Sequence, residues 1–412
     1  MLASRRVVES IGMMTQGPGI CRWERPFLVG IAAVTAVAVL GGCGASIAAP
    51  ATGRTLASAP PFSSGPSGCP PRITPAPTPS NLATYKVPGL DFWQVVSGPG
   101  GNLWFLAGHE VNVNVGEEEV LGSITPSGTT TLYPLPGSPG MSFAGITIGP
   151  DGNVWFTEPG AEKIGELVVA TGQIETFTVP LPPVPRGSAP RNTQVTSVVA
   201  GPDGNLWFDV EQVAGEEVMP DGYVGRITPA GAVSLFTVPG GGQPGYIQVG
   251  ADGNLWSRIL VPLGAPGCAL GGYAPSSTVV RVTPTGQVTV MSEDSAQFAG
   301  GTVGPGGDQW WMTSSGMLRR TTRSGHVTDF PADTSLGFWY PVHFVFGPDG
   351  NLWYVNGLNI LRMTPTGQVS AYGTPGTNNG AIWITTGPDG RLWFVEGPSG
   401  AETIGALRPP VD

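Results

Sequence analysis

Short apolar stretches separated by Gly and Pro turns run along most of the chain. An apolar stretch at residues 145–148 is followed by the turn Gly-Pro-Asp-Gly (149–152) and by Asn-Val-Trp-Phe-Thr-Glu (153–158). Two such runs joined by Asp-Gly predict a tight β-hairpin. A second pair of runs, 224–227 and 232–239, surrounds Pro-Ala-Gly and predicts another hairpin. Each repeat is therefore predicted to contain four short strands, which we label a to d in chain order.

This four-strand unit recurs seven times. Phrases related to Gly-Pro-Asp-Gly-Asn-Leu-Trp-Phe begin every 40 to 54 residues, and each places a Trp six residues after its first Gly: Trp104, Trp155, Trp207, Trp256, Trp310, Trp353 and Trp393. Recurrence of one phrase at this spacing is typical of repeat architectures. The pattern predicts an all-β protein, a seven-bladed β-propeller of four-stranded antiparallel blades over residues 82–412, with the repeated Trp in the core between blades.

The two ends of the repeat array are incomplete in complementary ways. The last copy lacks a strand d, whereas residues 83–88 resemble a strand d with no preceding a, b or c. We therefore expect the N- and C-termini to share the closing blade, which removes both open edges. Two segments, 72–75 and 404–407, resemble its strand c, and the sequence leaves the choice open.

Composition supports a folded, acidic protein. Gly and Pro make up about a quarter of the 412 residues, which without a period would indicate disorder, but 40% hydrophobic residues and 12 Trp oppose that interpretation. Charged residues are 12%, too few for a coiled coil. The net charge of −10 argues against a nucleic-acid partner, and we expect a monomer.

The N-terminal segment has the features of an export signal. Arg22 and Arg25 precede an apolar run at 27–40 that ends in Leu-Gly-Gly-Cys43. This ending resembles a bacterial lipobox, so we expect residues 1–42 to be a lipoprotein signal peptide and Cys43 to carry the lipid. A plain secretory peptide and an uncleaved anchor are the alternatives, and Met13 or Met14 is an alternative start.

The rest of the N-terminal region is expected to be a tether outside the cytoplasm. Residues 43–81 are rich in Pro, Ser and Ala and have no period. The predicted location is therefore extracytoplasmic, at the cell membrane, through lipidated Cys43. Cys69 and Cys268 could pair there, but the sequence does not decide whether they do.

Loop lengths divide the propeller into two faces. The count from the repeated Trp to the Gly of the second turn is 24, 17, 24, 30, 15 and 14 in the first six copies, whereas the first turn never changes length. The variation falls in the b-to-c and d-to-a loops, which share one face of a meander. We expect a small molecule or an extracytoplasmic protein to bind on this variable-loop face.

Several acidic residues follow the same division. Those at or after the ends of strands b include Glu110, Glu158, Glu211 and Glu396. Carboxylates around a ring mouth could hold a hard cation such as Mg²⁺. Solubilising charge on long loops is the alternative.

His343 is the candidate general base. It opens the sixth strand a, and the sixth, seventh and first copies are neighbours in a closed ring. This order places His343 in one sector with Glu396 and with the His109/Glu110 pair. The alternative for His343 is packing between blades among aromatic residues, one of which is Trp339, a Trp outside the repeated position that is itself a ligand-binding candidate.

Two phrases together resemble a known family. Gly-Pro-Asp-Gly-Asn-Leu-Trp-Phe-x-Glu and Ile-Gly-x-Ile-Thr-Pro-x-Gly, clearest within 149–165 and 201–231, are similar to those of the streptogramin B lyase (virginiamycin B lyase) family of seven-bladed propellers. The resemblance implies elimination at the ester of a cyclic depsipeptide, with a His base and a magnesium ion. It also implies a Glu-x-His-Gly motif and a second Glu after the Trp-Phe of strand b.

The chain departs from that motif around its histidine. His343 falls at the His position, but Pro341 replaces the first Glu, Phe344 replaces the Gly, and Val-Asn-Gly (355–357) replaces the second Glu. Asn356 is a candidate ligand-binding residue, as are His109, Glu158 and Glu211. We expect a lipid-anchored binding propeller without lyase chemistry.

Two other functions stay open. One is a divergent carbon-oxygen lyase with His343 as base and a magnesium ion on Glu396 or Glu110. The other is a purely structural envelope protein.

Overall fold

The computed structural model describes most of the chain beyond residue 76. The described residues are 77–109, 118–139, 145–182, 192–213, 222–239, 243–262, 273–291, 298–313, 317–322, 324, 326–331, 343–355, 359–374, 381–396 and 403–410. The predicted signal peptide, Cys43, Cys69 and Cys268 lie outside them and stay predictions.

Within this part of the chain, 28 strands form seven four-stranded antiparallel sheets, each of which is one blade. Blade 1 consists of β2 (Leu90–Ser97), β3 (Leu103–His109), β4 (Glu118–Ile124) and β5 (Thr130–Pro139). Blade 2 consists of β6 (Ile146–Ile148), β7 (Val154–Glu158), β8 (Lys163–Val168) and β9 (Gln173–Thr178). Blade 3 consists of β10 (Asn192–Ala200), β11 (Leu206–Val213), β12 (Tyr223–Ile227) and β13 (Val233–Thr237).

The remaining blades repeat this order. Blade 4 consists of β14 (Gln243–Val249), β15 (Leu255–Pro262), β16 (Tyr273–Val282) and β17 (Val288–Met291). Blade 5 consists of β18 (Phe298–Val303), β19 (Gln309–Thr313), β20 (Met317–Thr321) and β21 (Val327–Pro331). Blade 6 consists of β22 (Phe344–Phe346), β23 (Leu352–Val355), β24 (Asn359–Met363) and β25 (Val369–Gly373). Two short 3-10 helices, Pro99–Gly101 and Pro159–Ala161, complete the described elements. The predicted all-β propeller is confirmed.

Blade 7 is shared between the two ends of the chain, as predicted. Its strands are β26 (Ala381–Thr386), β27 (Leu392–Glu396), β28 (Thr403–Leu407) and β1 (Leu82–Lys86), in that order. The segment 403–407 therefore fills the strand c position that the sequence left open. Tyr85 of β1 lies opposite Ile404 of β28, and the Tyr85 hydroxyl donates a hydrogen bond to the Pro126 carbonyl of blade 1 at 3.0 Å. The N-terminal strand thus completes blade 7 and contacts blade 1.

The first turn of five blades is held by one repeated hydrogen bond. The indole Nε1–H of the repeated Trp donates to the Asp carboxylate four residues earlier, at 2.9–3.2 Å, in Asp151/Trp155, Asp203/Trp207, Asp252/Trp256, Asp349/Trp353 and Asp389/Trp393. Burial works to raise the pKa of Asp349, but hydrogen bonds from Asn351 and Trp353 outweigh it and hold that pKa below its usual range. The turn is therefore fixed by an ionised carboxylate.

Stacked aromatic rings lie in six of the seven blades, and most of these stacks also contact the next blade. In six blades the repeated Trp packs against an aromatic ring on strand d of the same blade, with centroids 5.2–5.9 Å apart: Trp104/Tyr133, Trp155/Phe177, Trp207/Phe236, Trp310/Phe330, Trp353/Tyr372 and Trp393/Tyr85. The second-turn Gly of the following blade then lies against the strand d ring, as Gly231 lies against Phe177 and Gly128 against Tyr85. A side chain at these glycines would collide with the ring, so small size is required there.

Within four blades a Phe ring covers a Gly on the neighbouring strand. Phe208 of β11 pairs with Gly225 of β12, and a Cβ on Gly225 would occupy the ring's position. Phe105/Gly122, Phe156/Gly165 and Phe394/Gly405 repeat the arrangement. In blade 4 the equivalent pair is Ser257 and Val280, so a small polar side chain replaces the aromatic ring.

The first strand of five blades contains a β-bulge. The register shifts in β2, β10, β14, β18 and β26, including the shift between Val195 and Val198 and the shift between Gly245 and Gln248. A bulge leaves residues unpaired and changes the direction of their side chains. These strands contact one another in sequence around the ring, so the bulges lie along its central channel.

Among the described residues, no helix is both long enough and apolar enough to cross a bilayer.

We expect Asp349→Ala to lower the free energy of unfolding by about 2–3 kcal/mol, because it removes a charged acceptor from Trp353, Asn351 and Arg362. Gly306→Ala is the matched control. It places Ala at the same turn position of blade 5, where an added Cβ meets nothing closer than 4.0 Å. Chemical denaturation compares the two variants. Equal losses of stability in both would show that the Asp–Trp hydrogen bond does not hold the turn.

Candidate functional site

The first strand of each blade carries the residues that line the channel. Because strands a and b are joined by the constant turn at one face, their other ends lead into the variable loops. Residues late in strand b and near the bulge of strand a therefore lie toward the variable-loop face. The site candidates fall mostly in these positions.

His343 packs against an aromatic ring of the next blade. Its imidazole stacks on Trp383 of β26, with centroids 3.7 Å apart and planes inclined by 22°. The residue as a whole is partly exposed, but Nδ1 is buried and has no hydrogen-bond partner among the described residues. The ring donates a hydrogen bond to the Ile384 carbonyl. His343 is thus held between blades 6 and 7, which is the packing alternative raised by the sequence, although with Trp383 as its aromatic partner.

The environment keeps this imidazole neutral. Burial lowers the pKa of His343 to about 4, against the opposing effect of the Ile384 carbonyl. Among the described residues, no carboxylate offsets this loss of basicity. A neutral imidazole can accept a proton, but this one is a weak base.

The other predicted residues of the described chain lie on blades 1, 2, 3 and 7. Glu158 ends β7 opposite Lys163 and is half-buried. Glu396 ends β27 opposite Ala381 and is only 3% exposed, so it lies inside the blade. The backbone of His109 pairs with Leu90 and Glu118. Glu110, Trp339 and Asn356 lie outside the described residues.

A magnesium ion does not fit the donors that the structure brings together. Across the described ranges, no group of three or more His, Cys, Asp or Glu side chains is arranged to hold a metal. The imidazole of His343 is committed to Trp383 and to the Ile384 carbonyl, and Pro341 and Val-Asn-Gly (355–357) stand where the family motif has carboxylates.

A different polar group lies between blades 3 and 4. Asp209 is fully buried in β11, opposite the bulge of β10. Its carboxylate accepts hydrogen bonds from Ser197 Oγ at 2.5 Å, from Ser257 Oγ at 2.9 Å and from the Ile247 N–H at 2.8 Å. Burial raises the pKa of Asp209 to about 6 against these hydrogen bonds. Asp209 therefore links the two blades.

Glu211 lies two residues further along the same face of β11. Burial, and then the nearby charge of Asp209, raise the pKa of Glu211 to about 7, while Arg258 and the Thr196 hydroxyl lower it. This carboxyl group changes charge near neutral pH. Such a group beside a channel is a common feature of binding and catalytic sites.

Arg258 and Tyr246 complete this polar group on blade 4. The Arg258 guanidinium lies over the Tyr246 ring, 4.9 Å from its centroid, and Arg258 Nε is buried without a hydrogen-bond partner in the described part of the chain. Tyr246 lies in the bulge of β14 with φ of 63°, a left-handed conformation that is costly for an aromatic residue. Burial raises its pKa, so the phenol stays neutral. Strain of this kind is often found at functional sites.

We call Asp209, Glu211, Arg258, Tyr246 and Thr196 the blade 3–4 polar cluster. Of these residues, the sequence pointed only to Glu211. A signal for two others was present at the position two residues after the repeated Trp. The other five copies carry an apolar residue or Thr there: Leu106, Thr157, Met312, Val355 and Val395. Only copies three and four carry charges, Asp209 and Arg258.

Comparison with known proteins places the whole propeller in one family. The virginiamycin B lyase family model matches residues 72–258 and 273–409. A virginiamycin B lyase from Nocardia farcinica (strain IFM 10152) is 27% identical over 235 residues, which cover 50% of this chain and 75% of that protein.

Solved structures share the fold. A catalytically inactive virginiamycin B lyase from Staphylococcus aureus with quinupristin superposes with a TM-score of 0.61 at 23% identity, covering 80% of this chain and 99% of that one. The selenomethionine-substituted enzyme from the same organism gives a TM-score of 0.60 at 24% identity, covering 80% and 99% of the two chains. From the extent of the family match, this chain belongs to the virginiamycin B lyase family.

Proposed function

We propose that this protein is an exported, lipid-anchored propeller that binds a small polar ligand on its variable-loop face and does not carry out the elimination chemistry of its family. The observation that carries the proposal is the blade 3–4 polar cluster, where, among the described residues, Arg258 Nε is buried without a hydrogen-bond partner and the buried Thr196 hydroxyl has only Glu211 beside it. Leaving such groups unpaired is costly, and a bound polar ligand would satisfy them.

The surroundings of His343 support a function without elimination chemistry. An elimination base must reach a proton on the substrate, whereas this imidazole is stacked on Trp383 and bonded to the Ile384 carbonyl. The carboxylates that the family motif would supply on either side are Pro341 and Val-Asn-Gly (355–357) in this chain. His343 then contributes to packing between blades 6 and 7.

A divergent lyase is the second candidate. It is favoured by the position of His343 at the family's histidine and by the unpartnered Nδ1, which is unprotonated at neutral pH. In that case a movement of Trp383 would have to expose the imidazole, and Glu396 or Glu110 would have to supply a cation site. A purely structural envelope protein is the remaining alternative, and it would bind no small molecule saturably.

The location and partners follow from the N-terminal sequence. We infer export through residues 1–42, lipid attachment at Cys43 and a tether that holds the propeller close to the membrane. The acidic composition supports a partner other than nucleic acid. The ligand is then a small molecule or an extracytoplasmic protein met by a monomeric propeller.

Lyase activity is tested with quinupristin and magnesium. We expect the full-length protein, purified in detergent, to yield no linear product of unchanged mass under conditions in which the Staphylococcus aureus enzyme converts the substrate completely. The physical reason is that the His343 imidazole is stacked on Trp383 and has no carboxylate partner among the described residues. Mass spectrometry with chromatographic separation distinguishes the two isomers. Product formation that His343→Ala abolishes would refute the proposal in favour of the divergent lyase.

Lipid attachment is tested at its cysteine. We expect the mature wild-type protein to begin at Cys43 with an added acyl mass and to sediment with membranes. Cys43→Ser removes the thiol that accepts the lipid and leaves an unmodified chain. Intact-mass analysis of membrane and soluble fractions measures both. An unmodified wild-type chain in the soluble fraction would contradict the predicted anchor.

A further inference from the structure

We propose that Glu211 anchors a binding site for the protonated primary amine of a ligand, on the channel wall between blades 3 and 4. This inference rests on the proposed binding function and adds the chemistry of the ligand. It uses the geometry and charge of the blade 3–4 polar cluster rather than the His343 region.

The fold leaves space for the Glu211 side chain next to blade 4. Gly245 lies in the first strand of blade 4, paired with Arg258, and a Cβ at Gly245 would lie 3.2 Å from Glu211 Oε1. A larger residue at this position would press on the carboxylate. The absence of a side chain at Gly245 therefore leaves room for the Glu211 carboxylate beside blade 4.

The cluster carries one more negative charge than positive charge when both acids are ionised. Asp209 and Glu211 are the acids, Arg258 is the base, and Tyr246 is neutral. No other titratable group from the surrounding strands affects Glu211 among the described residues. One added cation would bring the net charge of the cluster to zero.

The two acids differ in how well they are satisfied. Asp209 accepts three hydrogen bonds, from Ser197, Ser257 and Ile247. Glu211 makes no ion pair within 4.0 Å in the described part of the chain. The Arg258 guanidinium lies over Tyr246 and lowers the pKa of Glu211 without such a contact. A buried carboxylate without a close counter-charge is costly, so the incoming cation is expected at Glu211.

A second polar group points to the same place. Thr196 lies in the bulge of β10, is 8% exposed, and its Oγ1 has no hydrogen-bond partner of good geometry among the described residues. The hydroxyl is nonetheless near enough to Glu211 to lower its pKa. An ammonium group has three donors, and the carboxylate and this hydroxyl can accept two of them.

Binding of a cation at Glu211 depends on pH in a defined direction. Near a pKa of about 7, Glu211 is mostly protonated at pH 6 and mostly ionised at pH 8. A primary amine stays protonated across this interval. Asp209, with a pKa of about 6, is half ionised at pH 6 and fully ionised at pH 8, so its charge adds to the rise in affinity. The ammonium binds the ionised form of Glu211, and its affinity should rise about tenfold from pH 6 to pH 8.

The test compares two probes that differ in charge. We would titrate the full-length protein in detergent with 4-(trifluoromethyl)benzylamine and with 4-(trifluoromethyl)benzyl alcohol, and follow binding by fluorine NMR. The amine should bind saturably and the alcohol should not. Glu211→Gln should weaken amine binding at least tenfold, and Thr196→Val should weaken it several-fold.

Controls separate the site from the general acidity of the protein. Glu175→Gln makes the same charge change on the exposed outer strand β9 and should leave amine binding unchanged. Circular dichroism and melting temperature establish that the variants are folded. Equal binding of amine and alcohol, equal binding by wild type and Glu211→Gln, or no amine binding at either pH would overturn the inference.

A thermal-shift screen of a chemically diverse compound set distinguishes the two proposals. If other compounds stabilise the protein and Glu211→Gln does not weaken them, the amine site is wrong and the binding function stands. If no compound binds at all, the binding function itself is wrong.

Discussion

The propeller depends most on the packing of the repeated Trp on a strand d aromatic ring, which six of the seven blades share. In most of these blades a glycine of the next blade lies against the same aromatic ring. This packing joins the second strand of one blade to its outer strand and then to the neighbouring blade. Aromatic rings bury a large area at little cost in side-chain entropy, so this contact is efficient. In blade 7 the aromatic ring is Tyr85, which comes from the N-terminal end of the chain. The propeller is therefore closed between its two ends by the same Trp-aromatic contact that is found within the other blades.

Most of the fold could be predicted from the sequence because its signals are local. The spacing from Gly to Trp fixed the blade count, and Asp-Gly marked the first hairpins. The incomplete last copy predicted the shared blade, but the strand c choice needed the observed pairing of β28 with β1. The bulges could not be predicted, since a bulge depends on how two strands pair rather than on the composition of either one.

The candidate site was less predictable because its residues come from different blades. The sequence placed His343 at the start of the sixth strand a, but its aromatic partner, Trp383, lies forty residues away and outside the repeated Trp position. Glu211 was found from its place at the end of strand b. Thr196 and Tyr246 carry no sequence signal, since their importance comes from bulges that turn them toward neighbouring charges.

The blade 3–4 polar cluster lies where the repeat is interrupted. Blade 4 has no aromatic residue on its outer strand β17, and Ser257 replaces the Phe that follows Trp in several other copies. The small Ser257 gives Asp209 a hydrogen-bond donor in space that a Phe ring fills elsewhere. The loss of these aromatic residues at the boundary between blades 3 and 4 thus leaves room for charged side chains. The aromatic contacts of the other blades hold the propeller together.

At this boundary between blades 3 and 4, hydrogen bonds and nearby positive charge do not fully offset the burial of the Glu211 carboxyl group. Carbon-detected NMR of the Glu211 side chain, assigned with Glu211→Gln, measures its pKa directly. The structure predicts a value of about 7, since burial and Asp209 outweigh Arg258. A value near 4.5, the ordinary range of an exposed glutamate, would show that the group is solvated or fully paired and would contradict this account.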